Sequence, residues 1–136
     1  FLWAQMEHAD DITGRRLALW ERYHQGLAHL EREGRVRLPW VPAHCAHNAH
    51  MYFVLLEDRA RRERFLARLR EADISAVSHY VALHDSTMGR THARVHGGMT
   101  HTVAACDGLA RLPFWLGLEE HVDQVLRAVT GALNTK

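Results

Sequence analysis

The side chains best suited to chemistry lie in one segment, Ile74-Ser75-Ala76-Val77-Ser78-His79-Tyr80-Val81-Ala82-Leu83-His84. It is a short apolar strand pattern that ends in two imidazoles and a phenol. Such groups donate hydrogen bonds to hydroxyl or phosphate oxygens at modest desolvation cost. His79, Tyr80 and His84 are therefore the candidate ligand-facing residues. Strand alternation sends His79 and Tyr80 to opposite faces, so at most one of them points straight at a ligand. The alternative is that Tyr80 packs in the core with its hydroxyl satisfied and that His84 caps a loop. An absence is equally informative. The only lysine is the terminal Lys136, so chemistry that needs an internal lysine amine cannot be completed by this sequence alone.

A second cluster, His44-Cys45-Ala46-His47-Asn48-Ala49-His50, places four potential zinc ligands within seven residues. The spacing is neither C-x-x-C nor H-E-x-x-H, and no second half of a zinc-finger pattern follows. In an extended chain His44, Asn48 and His50 share one side while Cys45 and His47 share the other. No native metal site is expected, and a stand-alone His/Cys-rich metal-binding module is kept as the alternative. His92, His96 and His101 read as solvent-exposed loop groups.

The chain has 136 residues, 47% hydrophobic and 24% charged, which fits one soluble domain with one core. A net charge of +1 argues against a nucleic-acid surface, which needs a clustered basic excess. No apolar run approaches the ~20 residues that span a bilayer, and the start lacks the basic and apolar regions of a signal peptide. Two distant cysteines, Cys45 and Cys106, do not make a disulfide framework; a reducing, cytoplasmic setting is expected. There is no initiator methionine, so the chain is expected to begin inside a longer protein or after processing.

The elements that must position these groups follow from periodicity. Leu2, Met6, Ala9, Leu17, Trp20, Leu27 and Leu30 predict a long amphipathic helix, weak near Thr13-Gly14 and ended by Gly34. Met51 to Leu56 predicts a buried strand, and Asp58 a cap for the next helix. That helix buries Phe65, Leu66, Leu69 and Ala72; Arg61, Arg62, Arg64, Arg68 and Arg70 form a solvated face. A second strand is predicted over Ser75 to Val81, an irregular loop over Asp85 to Met99 and a short helix over Thr102 to Ala110. Arg111-Leu112-Pro113-Phe114 suggests an edge strand. A closing helix runs from about Glu119 to Leu133, with Glu119 and Glu120 at its positive end. The sum is an α+β domain with about three strands flanked by helices.

Four stretches, in order, carry a family resemblance: Phe1-Leu2-Trp3-Ala4-Gln5-Met6-Glu7; Asn48-Ala49-His50-Met51-Tyr52-Phe53; Ser78-His79-Tyr80-Val81-Ala82-Leu83-His84; and Arg111-Leu112-Pro113-Phe114 with Leu118 and the last helix. The third is similar to a His-Tyr-x-Pro-Leu-His pattern, with Ala82 in place of proline, which should loosen the turn. Together they resemble the C-terminal small domain of the DegT/DnrJ/EryC1/StrS sugar-nucleotide aminotransferases. The resemblance implies the small domain of the aspartate-aminotransferase-like fold, with residues 1–136 as one domain of a longer homodimeric enzyme. It implies pyridoxal phosphate as cofactor, its Schiff-base lysine and acidic partner lying in a large domain outside this chain. It implies glutamate as donor and a dTDP-sugar as acceptor. The first two stretches resemble members that aminate C4 of dTDP-4-keto-6-deoxyglucose in bacterial surface-polysaccharide synthesis of the enterobacterial common antigen type. His79, Tyr80 and His84 are then one wall of the sugar site. His50 is structural, Trp3 and Trp115 face the large domain, and the chain alone is inactive.

Overall fold

The computed structural model describes residues 2–134; Phe1 and Lys136, both singled out in the sequence, lie outside the described residues. Helix α1 spans Leu2–Met6 and α2 spans Ala9–Arg32. The break falls at Glu7-His8, not at Thr13-Gly14. Asp10 and Asp11 favour a new helix start there, where carboxylates meet the positive pole. The helix runs through Gly14, which faces open space. Leu19, Trp20, Tyr23, Leu27 and Leu30 form the buried stripe, whereas Leu2, Met6, Ala9 and Leu17 are exposed. Gly34, at φ 68°, follows the helix in the left-handed conformation that ends it.

Three strands form one antiparallel sheet: β1 (Tyr52–Leu55), β2 (Val77–Ser78) and β3 (Leu109–Leu112), in the order β1-β3-β2. The third strand is thus central, not an edge. It starts two residues earlier than its sequence suggests, and Pro113 follows it directly, so the missing N–H lies beyond the ladder. Strand β2 has two residues where Ser75 to Val81 was expected. Ser78 pairs with Ala110 and β3 begins at Leu109, so a longer β2 would soon run out of partner. Tyr52, Val54, Ala110 and Leu112 point to the core; Phe53, Leu55, Leu109 and Arg111 are half-exposed on the other face.

Helix α3 spans Arg59–Glu71, and the Asp58 carboxylate accepts the Arg61 N–H at 2.7 Å as its cap. Phe65 and Leu69 are buried, but Ala72 is an exposed C-cap. The arginines of this helix are not only solvated. Arg62 donates to the Cys106 carbonyl (2.6 Å) and Arg68 to the Ala132 carbonyl (2.8 Å). The stretch Asp85 to Met99 is not wholly irregular either. After a 3-10 turn at Leu83–Asp85 comes α4 (Thr87–His92), with the Ser86 hydroxyl accepting the Gly89 N–H. Six exposed or half-exposed residues leave no apolar stripe, so periodicity could not reveal α4; the Ser86 cap was the overlooked signal. Ala82, at φ −55°, already has a proline-like backbone, and its carbonyl accepts from Asp85 and Ser86. The turn closes without the ring.

Helix α5 spans Thr100–Gly108 and α6 spans Val122–Asn134, the latter preceded by a 3-10 turn at Leu118–Glu120. Glu119 is therefore not in α6. It pairs with Arg15 (2.7 Å) and accepts the Gly117 N–H, which ties this turn to α2. Val122, Val125, Val129 and Leu133 complete a core shared with α2, α3 and the inner sheet face. Tyr23 stacks on Tyr52 with centroids 4.9 Å apart and donates to the Pro113 carbonyl at 2.8 Å. Burial pushes both phenols far above their usual pKa, so both stay protonated donors. The architecture is α+β, a three-stranded sheet with helices packed on one face. Among the described residues no helix is long and apolar enough to cross a membrane.

Two glycines predict opposite outcomes. A Cβ on Gly108 would lie 2.2 Å from the Leu56 carbonyl oxygen, a backbone atom that cannot swing away. Gly108→Ala should cost about 2 kcal/mol or more. Gly14→Ala adds a methyl to open space inside a helix and should stabilise by about 0.5–1 kcal/mol. Equilibrium urea unfolding of the two variants checks both signs.

Candidate functional site

The end of β2 releases His79 and Tyr80 from the strand's pleat. Alternation no longer separates them: their rings sit 4.2 Å apart, centroid to centroid, at 53°. Both line one cleft of about 410 Å³ with Arg59, Arg62, Asp85 and Asp107. Tyr80 is 71% exposed, so it is no core residue. His84 sits apart on the 3-10 turn. It faces a larger and more open hollow of about 650 Å³, with Met88, His92, His96 and Met99. The structure thus brings two of the three predicted residues together and places the third around the corner.

The charged walls of the cleft were not singled out in the sequence as site residues. Asp58 starts α3 so that Arg59 and Arg62, three residues apart, share a helix face. Arg59 makes two hydrogen bonds to Asp107 Oδ1, at 3.0 and 2.7 Å, which hold its guanidinium more firmly charged. Asp85 is similarly tied to Arg90. Arg62 uses Nη1 on the Cys106 carbonyl, but its buried Nε has no partner, and neither does the buried Nδ1 of His79. Two unpartnered buried nitrogens beside one cleft are unusual, because native structures leave few such groups unsatisfied. Burial pushes the His79 pKa down, and the nearby charges of Arg111 and His50 push the same way. His79 is therefore a neutral imidazole at pH 7, able to donate from one nitrogen and accept at the other.

The histidine-rich segment is dispersed by its own contacts. His47 lies edge-on to Trp20 at 4.8 Å, and His50 Nδ1 meets Asn48 Oδ1 at 3.1 Å. Ala49 takes a left-handed φ of 45° between them. Among the described residues no group of three or more His, Cys, Asp or Glu side chains is placed to hold a metal ion, so the metal-module alternative gains no support. The described residues also contain no lysine and so offer no amine for an imine with pyridoxal phosphate. The donor set of the cleft fits recognition of a hydroxylated or anionic ligand. Trp3, Trp40 and Trp115 are exposed.

The His79 shift has a stability consequence. A folded-state pKa below the unfolded value means the unfolded chain binds the proton more readily. The contribution is complete above the ordinary value of 6.5 and is lost as pH falls through it toward the lowered folded value. His79→Asn should therefore flatten the fall in melting temperature between pH 7.5 and 5. Equal acid slopes for variant and parent would show that His79 is not held neutral.

Residues 1–130 match the model of the DegT/DnrJ/EryC1/StrS aminotransferase family. Among solved structures, DesV of S. venezuelae, determined in complex with a ketimine intermediate, is similar at 26% identity and a TM-score of 0.88, covering 99% of this chain and 35% of that one. The aminotransferase TlmJ of Streptoalloteichus hindustanus shares 23% identity at a TM-score of 0.81, over 96% and 34% of the two chains. A DegT DnrJ EryC1 StrS aminotransferase of Brucella abortus shares 22% at 0.82, over 98% and 34%. The chain spans about a third of the length of these solved proteins. With a family match that runs through nearly every residue, on the fold its solved relatives share, the chain belongs to the DegT/DnrJ/EryC1/StrS aminotransferase family.

Proposed function

We propose that this chain is the small domain of a pyridoxal-phosphate-dependent sugar-nucleotide aminotransferase, and that its own contribution is one wall of the sugar site. The observation that carries this reading is the family match over residues 1–130. The cofactor, when bound, supplies the electron sink for amino transfer. Its lysine and its acidic partner belong to a large domain, since the described residues have no lysine. His79 and Tyr80 meet hydroxyl or phosphate oxygens of the nucleotide sugar, with Arg59 and Arg62 setting a positive field behind them. His84 borders the same substrate from the neighbouring hollow.

The finer reading is a dTDP-4-amino-4,6-dideoxygalactose transaminase. Glutamate would give its amino group to C4 of dTDP-4-keto-6-deoxyglucose, in surface-polysaccharide synthesis of the enterobacterial common antigen type. The Phe1-Leu2-Trp3-Ala4-Gln5 and Asn48-Ala49-His50-Met51 stretches support it. The working form is a cytoplasmic homodimer.

The isolated chain should show no cofactor absorbance change with glutamate. The same chain carried on its large domain should shift its absorbance on adding glutamate and return on adding dTDP-4-keto-6-deoxyglucose. In that protein His79→Ala should raise KM for the nucleotide sugar about tenfold, the loss of about one good hydrogen bond, and leave the glutamate half-reaction unchanged. A glutamate-driven shift that no 4-keto sugar nucleotide reverses would exclude the sugar assignment.

A further inference from the structure

The half-exposed face of the sheet carries a charge that nothing in the described chain answers. Arg111 is the third residue of the central strand β3, flanked by Phe53 on β1 and Val77 on β2. Leu55 and Leu109 form the next pair on this face. Arg111 thus leaves the sheet between apolar neighbours, half-buried, with its guanidinium nitrogens open to solvent. Arg35, Arg62 and Arg68, also half-buried, each hold a backbone carbonyl. Arg111 has no side-chain hydrogen bond or ion pair among the described residues. Among the half-buried arginines Arg16 shares that lack, on the outside of a helix; exposed arginines share it too, among them Arg37 opposite Leu55 at the margin of the same sheet face.

The Arg111 nitrogens reach solvent, so the fork can meet a ligand without first giving up an internal partner. The group also has a companion. His79 lies two residues beyond Val77, the cross-strand partner of Arg111, and Arg111 is close enough to act on the His79 imidazole. His79 also has a buried nitrogen without a partner. A donor-only fork and a neutral ring thus converge on one region of a rigid sheet. A guanidinium matches carboxylate and phosphate oxygens in a bidentate way, which a point charge does not.

We infer that Arg111, with His79 beside it, is the receptor for a substrate oxyanion, either the carboxylate of the amino donor or a phosphate of the nucleotide sugar. This rests on the aminotransferase reading and goes beyond it, because the resemblance assigns no role to Arg111. The two sources share one chemistry, and the measurements below separate them.

The test uses the protein with its large domain, as Arg111→Gln and Arg111→Lys. Steady-state KM is measured separately for glutamate and for the nucleotide sugar. Calorimetry measures binding of glutarate and of thymidine diphosphate, neither of which needs turnover. The glutamine variant should weaken one probe and raise the matching KM by about 10–100-fold, the range for a hydrogen-bonded ion, and leave the other near the parent value. Lysine should restore part of the loss. An effect confined to glutarate and glutamate identifies the carboxylate; one confined to the diphosphate and the sugar identifies the phosphate. Unchanged binding of both probes in a folded variant overturns the inference. So does a lowered melting temperature with both KM values intact, the signature of a structural ion pair with another domain. A parent enzyme that binds both probes yet never transfers an amino group would defeat the aminotransferase reading, and the calorimetry would still decide Arg111.

Discussion

A three-stranded sheet has two faces, and α2, α3 and α6 pack on only one of them. Tyr52, Val54, Ala110 and Leu112 sink into that side, where the stack of Tyr23 on Tyr52 and the Tyr23 hydroxyl on the Pro113 carbonyl fasten α2 to the sheet. The rest of the molecule is arranged around this asymmetry. Phe53, Leu55, Leu109 and Val77 stay partly in water although each would gain about 25 cal/mol per Å² on burial. Tyr80, Val81, Leu83 and Met88 extend the apolar character past β2. An unburied sheet face and a contiguous set of large exposed apolar residues mark an interaction surface more than a solvated one. Arg111 lies on this uncovered side, and the candidate cleft opens where β2 ends.

The second constraint is electrostatic and rests on arginine. Helices end with unsatisfied carbonyls and a negative pole. Arg68 and Arg35 reach the Ala132 and Leu133 carbonyls in the last turn of α6, and Arg62 reaches the Cys106 carbonyl near the end of α5. Each bond runs between elements distant in sequence, so these arginines fix helix positions as well as charge. A planar fork suits this work better than a lysine ammonium, because it can hold a carbonyl and still present other donors.

What was legible in the sequence was local. The apolar stripe through Trp20, Leu27 and Leu30, the stop at Gly34, the Asp58 cap and the closing helix through Val125 and Val129 are each decided by a few neighbours along the chain. What was not legible is decided by partners far away. Pro113 reads as an edge signal until β3 is known to end at Leu112. Ser75 to Val81 reads as a full strand until its partner is known to begin at Leu109. The site suffered from the same blindness. Alternation put His79 and Tyr80 on opposite faces because the strand was drawn through them, whereas its early end lets the two rings meet. Arg62 was read as solvated because no pattern along α3 shows that Cys106 lies opposite it.

The pairing of a neutral imidazole with a permanent cation has a physical logic of its own. Two charged groups side by side would repel and would both need solvation. Burial and the Arg111 charge together keep His79 uncharged near pH 7, so the cation is left to Arg111 alone. The neutral ring keeps an acceptor nitrogen, which an imidazolium lacks, and can take a hydrogen bond from a sugar hydroxyl while the guanidinium holds an oxyanion. The two groups then answer to pH differently. Guanidinium binding persists through the acidic range, whereas acceptance at His79 fails once the ring is protonated. An anion bound at Arg111 would offset its charge at His79 and make the ring easier to protonate. Ligand charge and imidazole protonation are thus coupled beside the open face of the sheet, with the sign fixed by the Arg111 charge that acts on His79.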